Sequence, residues 1–290
     1  MNAGPHLALA AAASYGANVV AARIAGDAGV SGVSIVLYRV APMLAVAALL
    51  AWWSGGLAVP RGERRTVALL GLATAGVGTA YFSAIAFVPI TVAVVVFYTY
   101  PALIVLAEPI FGGEPPGAGR LAVVALAVAG VVLVVGPAWE GLDPRGLVLA
   151  GLASLATATQ FLLAARCPRA TVAAKAVWVH LAVLPAVAGI ALASGTLNPP
   201  ASLALAPVAV TLTVAGYVIG FLLQMAALAR TSASVVGIAF CLEPVVAAAT
   251  AALALGERLG PVQLAGGALV LAALALNGRR PATPPAEARP

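Results

Sequence analysis

Two ionisable side chains lie where a charge is hard to keep. Glu243 stands directly before Pro244 near the middle of a long apolar run, and Arg39 lies deep within another. At the centre of a membrane helix a charged residue costs about 2.5–3.5 kcal/mol on insertion scales, so each is a functional candidate by default. Glu243 has three readings: a carboxyl that exchanges a proton, a carboxyl that binds a substrate amine, or a structural group bonded to backbone or a neighbouring helix at the proline. Arg39 keeps its charge. It needs Glu243, backbone carbonyls or an anionic substrate group such as a carboxylate, and an Arg39–Glu243 ion pair is an expectation for the structure to test. His180, also inside an apolar run, is either a proton relay or a satisfied packing residue.

The runs that hold these groups dictate the class of protein. Of 290 residues 63% are hydrophobic and 8% charged, against roughly 25% charged in soluble domains. Lipid must solvate most of such a chain, and only helices or a closed barrel satisfy the backbone there. The runs are continuous and rich in Ala, Val and Leu, without strand alternation, so an all-α integral membrane fold is expected. Ten segments reach the roughly 20 residues that a crossing needs: about 7–25, 30–53, 66–88, 90–111, 119–137, 146–166, 171–194, 204–229, 232–254 and 261–277. Trp52 and Trp53 suit an interface anchor. Glu108, near the end of the fourth segment, is expected at the interface.

Arginine and lysine set the orientation. One side would collect Arg61, Arg64, Arg65, Arg120, Arg166, Arg169, Lys175, Arg230, Arg279, Arg280 and Arg289, the other only Arg23, Arg145 and Arg258. Both termini are therefore expected in the cytoplasm, in a multi-pass protein of the cytoplasmic membrane. The net charge of +6 reflects that bias; no soluble basic domain exists to bind nucleic acid.

The chain repeats itself. Arg23 matches Arg166, Pro42 matches Pro185, Pro101 matches Pro244 and Glu114 matches Glu257, each pair 143 apart (257 against 114). Each copy holds five helices, an odd number, so the copies cross the membrane in opposite senses. The expected units are 1–140 and an inverted 144–277, followed by a disordered cytoplasmic tail, 278–290. Inverted repeats of this kind occur in secondary transporters, with the substrate site between the halves near the midplane.

Thr74, Gly78 and Tyr81 share a face of the third helix, and the same offset gives Tyr217, Phe221 and Gln224 on the eighth. These faces are expected to line a pathway, the alternative being helix packing through aromatic and small residues. Tyr15, Asn18, Tyr98, Tyr100 and Gln160 are further candidates. Tyr100 is the repeat partner of Glu243, so a pocket built on both would be asymmetric. Pro101 and Pro244 should kink their helices, as hinges or as static bends. Glu114 and Glu257 close helices, with capping or loop-bracing roles expected.

The motifs resemble the drug/metabolite transporter superfamily, EamA type. The second copy reads Cys241-Leu242-Glu243-Pro244-Val245-Val246 and then Leu255-Gly256-Glu257; the first reads Tyr100-Pro101-Ala102 and Gly113-Glu114. Tyr15-Gly16-Ala17-Asn18 and Tyr38-Arg39 are similar to the family's opening elements, while Ala158 and Ala182 replace the aromatic and the Arg in the second copy. The resemblance implies export of amino acids, other metabolites or drugs, with uptake also known among relatives.

Other classes lack their residues. No Gly-Lys-Ser/Thr phosphate loop supports ATP coupling, and Cys167 and Cys241 lack metal spacing, so no metal or other cofactor is expected. An intramembrane enzyme would need a nucleophile and base beyond one deep carboxylate and one deep histidine. The expected partners are a small-molecule substrate, lipid and protons, with the chain a monomer or homodimer.

Overall fold

The computed structural model describes residues 3–53, 55–111, 113, 115–136 and 142–278. Glu114 and the tail from 279 onward lie outside the described residues. Among the described residues ten helical spans are long and apolar enough to cross a membrane, and they are made of thirteen α-helices because three spans are broken. The first repeat holds α1 (Gly4–Asp27), α2 (Gly32–Tyr38) with α3 (Val40–Trp53), α4 (Arg64–Ala84), α5 (Ile90–Phe97) with α6 (Tyr100–Ala107), and α7 (Ala118–Val135). The second holds α8 (Pro144–Ala165), α9 (Val172–Ser194), α10 (Pro207–Leu228), α11 (Ala233–Ala239) with α12 (Leu242–Leu255), and α13 (Pro261–Gly278).

The breaks have one cause. A proline lacks an N–H and clashes with the carbonyl four residues before it, a penalty of about 3 kcal/mol in a regular helix. Pro101, Pro244 and Pro42 point that clash at Phe97, Phe240 and Tyr38, and α5, α11 and α2 end at or one residue before those positions. Pro42 was paired with Pro185 in the sequence but not expected to interrupt its span. Pro185 itself sits inside α9 without breaking it. Serine and threonine start other helices by capping: Ser31, Thr171 and Ser232 each accept from the N–H three residues on.

Packing follows the exchange of the two halves. α1 lies along α10 as α8 lies along α4; α1 meets α12 as α8 meets α5 and α6; the equivalent α7 and α13 pack on one another. The repeats are thus intertwined rather than side by side. At the α7–α13 crossing the backbones touch: a Cβ on Gly266 would fall 2.7 Å from the Gly130 carbonyl oxygen and 2.7 Å from the Val134 nitrogen.

The two ends of the bundle differ. At one, Glu63 is buried and accepts from the backbone N–H of Arg169 at 3.1 Å and of Ala170 at 2.7 Å, with Arg169 Nε at 3.2 Å. This basic end also holds Glu108, which is buried rather than interfacial: it pairs with Arg120 at 3.3 Å and accepts from the Ser234 hydroxyl. Its position against the start of α11 explains the burial. Lys175, counted above among the cations of that side, is fully buried and donates to the Ala164 carbonyl at 3.3 Å. At the opposite end Arg23 pairs with Glu257 at 2.6 Å, a bracing contact between α1 and the close of α12. Ser31 and Ser34 bond Asn198, and the Tyr38 hydroxyl donates to its carbonyl at 2.7 Å.

The glycine crossing is directly testable. Gly266→Leu should lower the stability of the detergent-solubilised protein by about 1–3 kcal/mol, the usual cost of overpacking. Gly151→Ala, where a Cβ meets nothing within 4 Å, should leave it unchanged or raised. Thermal unfolding of the two variants beside the parent chain measures both.

Candidate functional site

Where the broken helices meet, the chain cannot close its own surface, and a cavity of about 190 Å³ remains at mid-depth. Arg39 and Glu243 both line it, with Tyr15, Thr74, Gly78, Tyr100, Gln160, Tyr217, Phe221 and Gln224. Most of the residues singled out in the sequence are therefore brought together. Arg39, Gly78, Phe97 and Glu243 also line a second cavity of about 460 Å³, which Tyr81 and Tyr98 share with Ile90, Val134 and Val135. Those last three lie at the end of the bundle away from Glu63, so the second cavity runs from mid-depth toward that end.

Glu243 is set by backbone contact. A Cβ on Gly16 would fall 2.5 Å from the Glu243 carbonyl oxygen, so only glycine lets α1 cross α12 there. Tyr98 stands with Glu243 in the lining of the second cavity. The expected Arg39–Glu243 ion pair is not formed among the described residues. Arg39 instead stacks on Tyr217, its guanidinium carbon 3.6 Å from the ring centroid, an attraction of about 2 kcal/mol when desolvated. The quadrupole of the ring satisfies the cation from one side only, which leaves the planar fork of N–H donors for the cavity.

Behind Tyr217, His180 is buried with both nitrogens engaged. Nδ1 lies 2.7 Å from the Ala176 carbonyl, which can only accept, so Nδ1 carries the hydrogen. Nε2 of the neutral ring then accepts from the Tyr217 hydroxyl at 2.8 Å. His180 thus does not line the cavity; it holds the ring that holds Arg39. Asn18 also turns away, accepting from the Thr213 hydroxyl in the α1–α10 contact. Its equivalent spacing to Tyr15 put it near the site in sequence, but its azimuth on the helix faces α10.

Across the cavity a relay of polar groups joins four helices. The Tyr15 hydroxyl donates to Gln224 Oε1 at 3.2 Å, Gln224 Nε2 to Gln160 Oε1 at 3.4 Å, Gln160 Nε2 to Thr74 Oγ1 at 2.9 Å, and Thr74 to the Leu70 carbonyl at 2.8 Å. Aromatic rings complete the lining. Five of the six tyrosines and five of the seven phenylalanines belong to one linked set of ring contacts around this site. In a chain only 6% aromatic this concentration falls both on the cavity lining and on the buried core, to which Tyr100, Phe161, Tyr217, Phe221 and Phe240 also belong. Phe97, Phe161 and Phe240 were missed in the sequence reading. Phe97 and Phe240 carried a usable signal, because they are 143 apart and each stands four residues before a breaking proline.

The comparisons with known proteins bear on this arrangement. The model of the EamA-like transporter family matches residues 2–136 and, a second time, 144–279. The chain belongs to the EamA-like transporter family. It is therefore a membrane transporter of the drug/metabolite type. No curated protein sequence matches it. Among solved structures 28 chains match; one, a crystal structure described only as that of a protein, is 20% identical over 92% of this chain and 96% of its own, with a TM-score of 0.72. At that identity the likeness speaks for the fold. In this EamA-like transporter both family units supply the site: Arg39 and Tyr15 come from the first, Glu243 and Gln224 from the second.

Gly78 gives the most direct test of the wall that the two cavities share. It lines both, and a Cβ there meets nothing within 4 Å. Gly78→Leu should leave thermal stability equal or higher, since leucine is the better helix former by up to about 1 kcal/mol, while solute flux in vesicles falls to background. Tyr217→Phe should act the other way. It strands His180 Nε2 at a cost of about 1–3 kcal/mol, read as a lower unfolding temperature, while the ring beneath Arg39 stays.

Proposed function

We propose that this transporter exports small metabolites carrying a carboxylate, amino acids and related compounds foremost, across the cytoplasmic membrane by alternating access, with proton coupling through Glu243. The observation that carries the reading is the shared lining of one mid-depth cavity by Arg39 and Glu243. The guanidinium offers two parallel N–H groups to a carboxylate. Glu243 is the cavity's one carboxyl, placed to take a substrate amine or a proton in turn. The aromatic lining accommodates varied side chains.

Alternating access is supported by an asymmetry between equivalent contacts. α4 packs along α9, a Cβ on Gly71 falling 2.8 Å from Ala182, whereas the equivalent α10 barely meets α3. An exchange of these two arrangements would open the Glu63 end and close the other. With both termini cytoplasmic, as the basic end suggests, the second cavity faces outward in this state. One chain holds the whole site, so a monomer suffices for transport, and a homodimer would be two such units. Uptake by the same cycle is the alternative direction.

Metabolite profiling of medium and cell extract, with the parent chain against Arg39→Ala at matched membrane levels, tests the substrate class. Enrichment of carboxylated compounds in the medium with the parent alone is expected, and enrichment inside the cells would reverse the direction. In vesicles, Glu243→Gln should abolish the response of flux to a pH gradient while insertion and folding persist. Unaltered flux and pH response in that variant would refute the coupling role.

A further inference from the structure

Besides the central cavities the bundle has two lateral crevices that the repeat relates to each other. One, about 690 Å³, lies between the loop 57–59, α4 and α9, with Val67, Trp178 and Leu181 in its walls. The other, about 560 Å³, lies between α10 and the α2–α3 span, where Val210, Ile35 and Tyr38 occupy the equivalent positions, 143 residues away. Both volumes fall within the ~300–1,000 Å³ range of ligand pockets. Their polar furnishing differs. The first includes Arg64 in its lining; no Lys or Arg lines the second.

The first crevice has the layout of an amphiphile. Its walls are mainly apolar, and its one indole N–H is already donated to the Leu57 carbonyl at 3.0 Å, so the interior asks for nothing polar. It opens among side chains that face outward from the bundle, Leu72 at 64% exposure and Trp178 at 48%. At its edge Arg64 is exposed, with Nε anchored on the Val59 carbonyl at 3.3 Å, so the guanidinium is held at the mouth rather than swinging free. Arg61 and Arg65 flank it in sequence and are also exposed. An acyl chain beneath and an anion beside the arginine match this division of polarity, and basic sites beside transmembrane helices recruit anionic lipid headgroups.

We propose that this crevice is a binding site for an anionic phospholipid, with an acyl chain between α4 and α9 and the headgroup phosphate on Arg64. The site lies on the α4–α9 contact that closes the Glu63 end, so an occupied crevice would bear on that contact.

Trp178 provides the probe. A full-length chain keeping only that tryptophan (Trp52→Phe, Trp53→Phe, Trp139→Phe) would be reconstituted in phosphatidylcholine vesicles containing a minor share of lipid with dibrominated acyl chains, either phosphatidylglycerol or phosphatidylcholine. Bromine quenches indole fluorescence on contact. Brominated phosphatidylglycerol should quench several-fold more per mole than brominated phosphatidylcholine, and Arg64→Gln should bring the two level. Equal quenching by both lipids in the Arg64 protein would overturn the proposal, leaving only bulk lipid around the helices. So would a phosphatidylglycerol preference that survives Arg64→Gln. Should the tryptophan variant fold poorly, native mass spectrometry of the unaltered chain and of Arg64→Gln reads the same distinction: phosphatidylglycerol adducts retained over phosphatidylcholine in the first and lost in the second, the converse refuting the site.

Discussion

A backbone carbonyl without a partner is costly in hydrocarbon, and the architecture follows from where this chain permits one. Prolines at 42, 101 and 244 each remove a helix N–H, and no water is at hand in the bilayer core to replace it. Non-helical backbone at that depth is tolerated where it is buried in protein or lines a cavity. The three interruptions place Arg39, Phe97, Phe240 and Glu243 on the cavity lining, and Phe240 recovers a donor from the Glu243 N–H at 3.1 Å. The breaks and the cavity are therefore one feature: the same local defect that forbids lipid exposure creates the polar space at mid-depth.

Duplication supplied the scaffold, and departures from it supplied the chemistry. Glu243 stands where the first repeat has Tyr100, and Arg39 where the second has Ala182. Two cations or two carboxyls facing each other in a dry cavity would repel, whereas this division leaves one of each. Ala182 also fits the tight α4–α9 contact against Gly71, where an arginine could not be placed. The loss of symmetry at that position thus serves both packing and charge.

The positioning groups form a graded shell around the cavity. His180 fixes the Tyr217 ring through a defined tautomer, and Tyr217 in turn carries Arg39. Gly16 brings α1 against α12 and so sets Glu243. Apart from the His180–Ala176 bond that sets the tautomer, these supporting contacts are not local in sequence. Farther out, the two lateral crevices show the repeat again, as equivalent shapes given different polarity by a single arginine.

By itself the sequence determined the solvent, the helical class, the number of spans and the inverted duplication. Those properties are carried by composition, run length and fixed spacing, which need no knowledge of neighbours. It also named most of the cavity lining, because an ionisable or aromatic residue in an apolar run is conspicuous along one helix. Tertiary structure alone decided the pairings. Arg39 chose the Tyr217 face over the Glu243 carboxyl, Asn18 turned to α10, and Lys175 and Glu108 went inside. Each of these depends on the azimuth and depth at which two distant helices cross. That crossing is set by small residues such as Gly16, Gly71, Gly130 and Gly266, whose contacts are made with backbone far away in the chain and leave no periodic mark on it.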